Sequence, residues 1–413
     1  MSEKAKTTTG QEVPRHRGPM GLAASADHPF GTGTVALPAA EDVTLPSVSV
    51  IVTCYNYEAF LPACLRAIAA QDYPNFDCVI VNDASTDQSA EVARTWLAET
   101  GDSRFSLVEH EENRGQMAAF KTGLAATKGV FVVFVDADDL LFPDFLSSHL
   151  NAHLNGGYMV AFTCSDQIQI SETGEVIGGT YPQLMRPRLR RGSEAETDDA
   201  LEWRFAGTGP QLRREPRAPI HLPAISRHVR DWYWSTTSAM MYRRAALLFV
   251  LSEDCDAFRI SADFYLVKYC QLVGGSLILP DVHGCYRRHG ANGFGSSPVI
   301  GGEQSPADKL RHVPYGKFKA SFTRHVLANF DRYVSVLGSD HAHLILAQVT
   351  PKAAIGKLLM SGRSRGGKNL KRPTLLYYRF WWRLFEVALV FGRRRRMLGN
   401  LFAGRSDRAG PRV

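Results

Sequence analysis

The sequence predicts an α/β fold: a sandwich with a mostly parallel central sheet, followed by a helical C-terminal extension. Three observations predict it. From Val48 onward, short apolar runs alternate with amphipathic stretches of helical period. The runs are apolar throughout instead of on one face, as strands covered on both sides of a parallel sheet require. The 413 residues, 45% hydrophobic and 22% charged, suffice for one large core plus extensions.

The elements follow in order. Residues 1–46 are rich in Gly, Pro, Ala and Thr without periodicity and read as a disordered leader. VSVIVTC then reads as a buried strand and YEAFLPACLRAIAAQ as a helix. FDCVIVND is a second strand, and STDQSAEVARTWLAE a helix opened by a capping pattern from Ser85 to Gln88. FSLVEH, GQMAAFKTGLAATK and VFVVFVD continue as strand, helix and strand, and FPDFLSSHLNAHL is a helix with Pro143 near its first turn. The globular part spans 47–300, with a first half at 47–155 and a second at 156–300. Residues 186–230 interrupt that second half with a charged insertion lacking apolar period, read either as a lid over a bound partner or as a solvated loop. Residues 301–413 form the extension.

Composition excludes several classes. The net charge of +7 is local, concentrated in Arg186 to Arg230 and after Lys352, and no nucleic-acid module accompanies it, so no nucleic-acid partner is expected. Seven cysteines without a CxxC pair read as buried thiols of a reducing compartment. The N-terminus lacks a secretory apolar core, and no run of about 18 uninterrupted apolar residues exists, which points to a cytoplasmic protein.

In parallel sheets ligands bind beyond the carboxyl ends of the strands. Those ends here are Thr53-Cys54-Tyr55-Asn56, Asn82-Asp83, a turn at Asn113-Arg114-Gly115, and Asp136-Ala137-Asp138-Asp139. Singly, each has a plain reading: Asp83 as a helix cap, Asp138 or Asp139 as the start of the turn before Pro143, Gly115 as a left-handed loop residue. Together they crowd like charges on one rim, which a cation or hydrogen-bond donors must offset. Carboxylates one residue apart suit Mg²⁺ or Mn²⁺, which take oxygen ligands and share them with substrate phosphates. No GxxxxGK[ST] or GxGxxG is present, and an EF-hand loop counted from Asp136 fails, with Leu141 at its sixth position and Ser147 at its twelfth. A metal-held nucleotide diphosphate remains.

TCYNYEAFLPACLRAIAAQ, VIVNDASTDQS, ENRGQMAAFKTGLAATKG and VVFVDADD together resemble the successive motifs of the family 2 glycosyltransferases, and the likeness covers about residues 47 to 295. The resemblance implies an inverting enzyme of the GT-A (Rossmann-like) fold. It would use a divalent metal, a nucleoside-diphosphate sugar donor and a carbohydrate or lipid-linked acceptor, in polysaccharide or glycolipid assembly. It places Thr53 and Tyr55 in the nucleotide pocket, has Asp83 accept from the base, and sets Arg114 and Gly115 beside the donor. Asp136, Ala137 and Asp138 become the Asp-x-Asp signature, the first acid toward ribose and the second toward metal and diphosphate.

Inversion also needs a base on the face opposite the leaving group. Asp263, opening the amphipathic run ADFYLVKYCQLVG, is the candidate; by position alone it equally suits a helix N-terminal acid answering the macrodipole. The family often has Glu before that Asp, where this chain has Ala262. YRRHGANG resembles the family's Tyr-Arg-x-His element and nominates His289 as a metal ligand. Trp232, Trp234 and Ser238 are candidates to face the acceptor, with a core role as the alternative. In the extension, a narrow polar stripe within residues 375–402, flanked by Lys371, Arg372 and Arg393 to Arg396, suits a helix lying on an anionic membrane at the inner face of the plasma membrane, or one docking on the globular part. A phosphatase of the haloacid dehalogenase type is disfavoured, because Asp139 and Leu140 follow the Asp-x-Asp on a fourth strand. A non-catalytic nucleotide-sugar-binding or scaffold protein is the alternative that Ala262 keeps open.

Overall fold

Val48–Cys54 is buried at every position and forms β1, an interior strand of the sheet, in a computed structural model that describes residues 44–155, 157–180, 201–204, 211–214, 219–224, 232–290 and 315–349. The first half then runs α1 (Leu61–Ala69), β2 (Phe76–Asn82), α2 (Ser89–Thr100), β3 (Phe105–Glu109), α3 (Gln116–Ala126) and β4 (Phe131–Asp136). A short β5 (Leu140–Leu141) and α4 (Phe145–Asn155) complete it. The second half contains β6 (Phe162–Ile170), β7 (Val176–Thr180), β8 (Leu201–Arg204), β9 (Gln211–Arg214), β10 (Ile220–Leu222) and β11 (Met240–Arg243). After these come α5 (Arg244–Val250), α6 (Ala262–Gly274) and β12 (Ser276–Arg287). Three helices, α7 (Tyr315–Ala328), α8 (Phe330–Leu337) and α9 (Ser339–Val349), follow.

The main sheet has the order β10-β12-β6-β11-β4-β1-β2-β3, with β5 on β12 and β7 on β6. β4, β1, β2 and β3 are parallel, as are β6 and β12, whereas β11 lies antiparallel between β4 and β6. Both faces are covered, which explains the unbroken apolar runs. Val50 and Val52 pack with Leu61, Leu65 and Phe145 on one side. Ile51, Val79 and Val81 pack on the other with Phe120 of α3 and with α5 and α6. Gly123 lets α3 approach that second face, since a Cβ there would stand 2.2 Å from the Ile51 side chain.

The described part of the extension belongs to this same core. Phe318, Phe322, Tyr333 and Ile345 are fully buried, and the Phe322 ring stacks on Tyr269 of α6 at 3.7 Å. Burial of several such rings is worth on the order of 2 kcal/mol each, enough to fix the helices against α5 and α6.

Several expectations change. The capping pattern from Ser85 to Gln88 does not form: α2 starts at Ser89, whose N–H and hydroxyl bind the Asp87 carboxylate. Ser85 is diverted to the loop after β1, as described below. β3 is an edge strand of the described sheet, with Ser106 and Glu109 exposed. Within 186–230, β8 pairs β9 and β10 adds to the main sheet through β12, so the stretch is not a loop throughout. All seven cysteines are free and buried. Among the described residues no helix is long and apolar enough to cross a membrane. The leader up to residue 43 and the basic helix expected at 375–402 lie outside the described residues.

Candidate active site

The carboxyl ends of β1 and β2 are laced together by their following loops. The Asn56 N–H donates to the Ser85 hydroxyl at 3.0 Å, the Thr86 N–H donates to the Asn56 side-chain oxygen at 2.7 Å, and Tyr57 N–H donates to the Ser89 hydroxyl at 2.9 Å. Asn56 and Ala84 adopt positive φ, 62° and 55°, to make these turns. Tyr55, between these bonds, is 43% exposed at the rim.

Asp83 follows β2 and holds the turn that leads into α3. Its carboxylate accepts the backbone N–H of Arg114 at 2.8 Å and of Gly115 at 2.7 Å, at the N-terminus of α3. Gly115 is required there: its φ is 88°, and a Cβ would lie 2.5 Å from the Arg259 Cα. The same end of α3 holds the loop before α6, through Gln116 N–H to Arg259 O at 3.0 Å and Ala262 N–H to the Gln116 side chain at 2.9 Å. One helix terminus therefore sets both Asp83 and the start of α6.

Asp136 ends β4. Its N–H donates to the Ser238 hydroxyl at 3.0 Å, its carboxylate accepts from Thr53 at 3.3 Å, and Ala137 N–H reaches Thr53 O at 3.2 Å. Burial, then the charges of Asp138 and Asp263, push the Asp136 carboxyl up to about 7. Asp263 is the second residue of α6, with its carboxylate on the helix N–H groups; burial raises it from 3.8 to about 6. Asp138 is buried, and its Oδ2 lies 2.9 Å from His289 Nε2. The His289 ring packs on Phe60 at 4.7 Å and edge-on to Tyr57 at 5.7 Å. The structure therefore gathers Thr53, Asp136, Asp138, Asp263 and His289 at one rim, with Asp83 and Tyr55 on the adjoining strand ends.

Asp139 requires a correction. It is fully buried, its carboxyl is held well above the usual range by burial and by Asp138 and Asp136, and it accepts the Arg287 N–H at 3.0 Å. It does not begin a turn but closes the one that Asp136 begins, by its N–H to Asp136 O, and its side chain clamps β12 inside the protein. Arg287 completes that clamp by donating to Asp138 O at 2.9 Å while covering Phe60.

The acceptor candidates divide. Ser238 is fully buried under Asp136, and Trp234 is buried with its Nε1 donating to Ser276, so both take core roles and offer no face to a substrate. Trp232 is half-buried and stacks on Phe264 at 5.5 Å, and Phe264 meets the exposed Tyr315 of α7 edge-on at 4.6 Å. Burial, then the Asp263 charge, push the Tyr315 phenol up, which places this aromatic group near the candidate base. Ala262, where the family often has Glu, is itself buried. Sequence reasoning missed His110, Tyr57, Gln116 and Tyr315; His110 directly follows β3 and was within reach of the strand-end rule.

Among the described residues no three His, Cys, Asp or Glu side chains stand together as a ready metal cage. The Asp138–His289 pair nevertheless offers one oxygen and one nitrogen donor beside Asp136, which burial and then its neighbouring carboxylates push up, a donor set suited to Mn²⁺ or Mg²⁺ completed by phosphate oxygens.

Residues 49–209 match the family described as Glycosyl transferase family 2. An uncharacterized glycosyltransferase of Nostoc sp. is 28% identical over 257 residues, 62% of this chain and 69% of that protein. The glycosyltransferase GlyA of Streptococcus pneumoniae is 41% identical over 101 residues, 24% of this chain and 14% of its own length. Staphylococcus aureus TarS, solved with UDP-GlcNAc, aligns over 83% of this chain and 92% of that one at 14% identity and a TM-score of 0.41, too loose a likeness to carry residue roles. The strand-end motifs and the family match agree: residues 49–209 form a family 2 glycosyltransferase domain.

Proposed function

We propose that the protein transfers a glycosyl group, with inversion, from a nucleoside-diphosphate sugar to a hydroxyl of a carbohydrate or lipid-linked acceptor. The observation that carries this reading is the convergence of Asp136, Asp138 and Asp263 at one rim, with Asp263 at about 6. On this reading Tyr55 stacks on the base, Asp83 accepts from it, Arg114 and Gly115 line the donor, and Thr53 orients Asp136 toward the ribose. Asp138 and His289 would hold a divalent ion, which supplies charge neutralisation for the departing diphosphate.

Asp263 takes the proton from the acceptor hydroxyl as that oxygen bonds to the anomeric carbon and the bond from that carbon to the diphosphate oxygen breaks. A carboxylate titrating near 6 is a better base at neutral pH than one near 4, and exclusion of water from the rim provides that shift. Trp232, Phe264 and Tyr315 border this base and would receive the acceptor. Polysaccharide or glycolipid assembly at the inner membrane face fits such an acceptor and the basic 375–402 segment.

Release of nucleoside diphosphate from a nucleotide sugar, in the presence of cell-envelope extract, tests the proposal. Asp263→Asn is expected to abolish release while leaving nucleotide affinity intact. Unchanged release would remove Asp263 from the mechanism.

A further inference from the structure

Asp83 has four acceptor positions as a carboxylate, two on each oxygen. Oδ1 faces the Arg114 N–H at 2.8 Å and Nδ1 of His110 at 2.6 Å, while Oδ2 faces only the Gly115 N–H at 2.7 Å. The two side chains are buried, His110 at 4% and Asp83 at 6% exposure. Because two backbone N–H groups already point at the carboxylate, it acts as an acceptor, and His110 Nδ1 carries the proton between them. The other ring nitrogen, Nε2, is held 2.8 Å from the hydroxyl of Thr122, on α3. The ring is thus fixed at both ends, and Oδ1 is saturated. One acceptor position remains among the described contacts, on Oδ2.

We propose that His110, held by Thr122, is a positioning residue that reduces Asp83 to a single vacant acceptor and so selects a base presenting one ring N–H, as uracil and thymine do. The inference rests on the reading of Asp83 as the residue that meets the nucleobase. Guanine presents two adjacent donors, N1–H and the N2 amine, and a carboxylate satisfies both only with both oxygens free. With Oδ1 occupied, one guanine donor is stranded in a buried site. Cytosine N3 and adenine N1 are acceptors, so an exocyclic amine that reaches Oδ2 brings a ring lone pair up against the carboxylate. An unmatched buried polar group disfavours a ligand about tenfold or more.

The test is calorimetric titration of the full-length chain with UDP, dTDP, GDP, CDP and ADP at fixed Mn²⁺. The wild type is expected to bind UDP and dTDP at least about tenfold more tightly than GDP, with CDP and ADP weaker still. His110→Phe keeps the ring volume but frees a position on Oδ1, so the UDP-over-GDP ratio should narrow by about tenfold. His110→Asn, whose side-chain amide can replace Nδ1–H, should restore the ratio. Thr122→Val should shift it in the same direction as His110→Phe but by less, and it carries the test should His110→Phe not fold. A wild type that binds GDP as tightly as UDP, or variants that weaken all five nucleotides by one common factor, would overturn the proposal. Asp83→Asn with UDP affinity unchanged would instead sink the donor reading on which it rests.

Discussion

Replacing Asp263 by Asn should make the protein more stable and nearly inactive. The carboxyl stands at about 6 in the fold, against an ordinary 3.8. At 1.36 kcal/mol per pH decade, keeping it ionised at pH 7.5 costs the native state about 3 kcal/mol. The sign follows from proton binding: the folded chain holds this proton more tightly than the unfolded one, so the cost is absent below about pH 3.8 and complete above about 6. Asn removes the charge and keeps an oxygen for the helix N–H groups. The midpoint of thermal unfolding should therefore rise by about 5 °C at pH 7.5, with about a third of the free-energy gain left at pH 4.5. Relief of Asp136, which Asp263 helps to push up, adds in the same direction. Turnover should fall at least about 100-fold, the usual contribution of a general base. Differential scanning calorimetry at the two pH values, beside the release assay, checks both halves. A midpoint that does not rise at pH 7.5, or rises equally at both pH values, would refute the electrostatic reasoning, and unchanged turnover would refute the catalytic role.

Two further outcomes are expected. Asp139→Asn should unfold in urea at or above the wild-type midpoint, since it keeps an acceptor for the Arg287 N–H and removes a carboxyl that burial disfavours; Asp139→Ala should lose about 1–3 kcal/mol by stranding that N–H. The intact chain should co-sediment with anionic vesicles and a chain ending near Thr350 should not, whereas equal recovery of both in the supernatant would exclude the 375–402 segment as the attachment.

The first half was legible because its chemistry is local. β1, β2 and β4 are largely contiguous apolar runs that end at or just before the residues reaching the rim, so Thr53, Asp83, Asp136 and Asp138 could be placed there from the chain alone. What escaped depends on pairing across long separations. Nothing near Asp139 announces that β12, about 150 residues later, supplies the Arg287 N–H that draws its side chain inward. Ser238 and Trp234 sit in a segment whose hydroxyls and rings suit a sugar, yet β11 enters between β4 and β6 and carries them into the core. The Ser85 to Gln88 pattern is a good capping sequence, but lacing to the Asn56 loop outcompetes it. Asp83 caps no helix of its own, because its carboxylate is drawn to the Arg114 and Gly115 N–H groups some 30 residues later in the chain.

The central claim is that the crowded carboxylates at the end of β4 bind a nucleoside diphosphate through a divalent ion. Titration of UDP into the full-length protein, once with Mn²⁺ and once with EDTA, tests it most directly. UDP should bind the wild type at least about tenfold more tightly with Mn²⁺, and Asp138→Ala should erase that difference. Equal UDP affinity in Mn²⁺ and EDTA, or a metal effect that survives Asp138→Ala, would contradict the account.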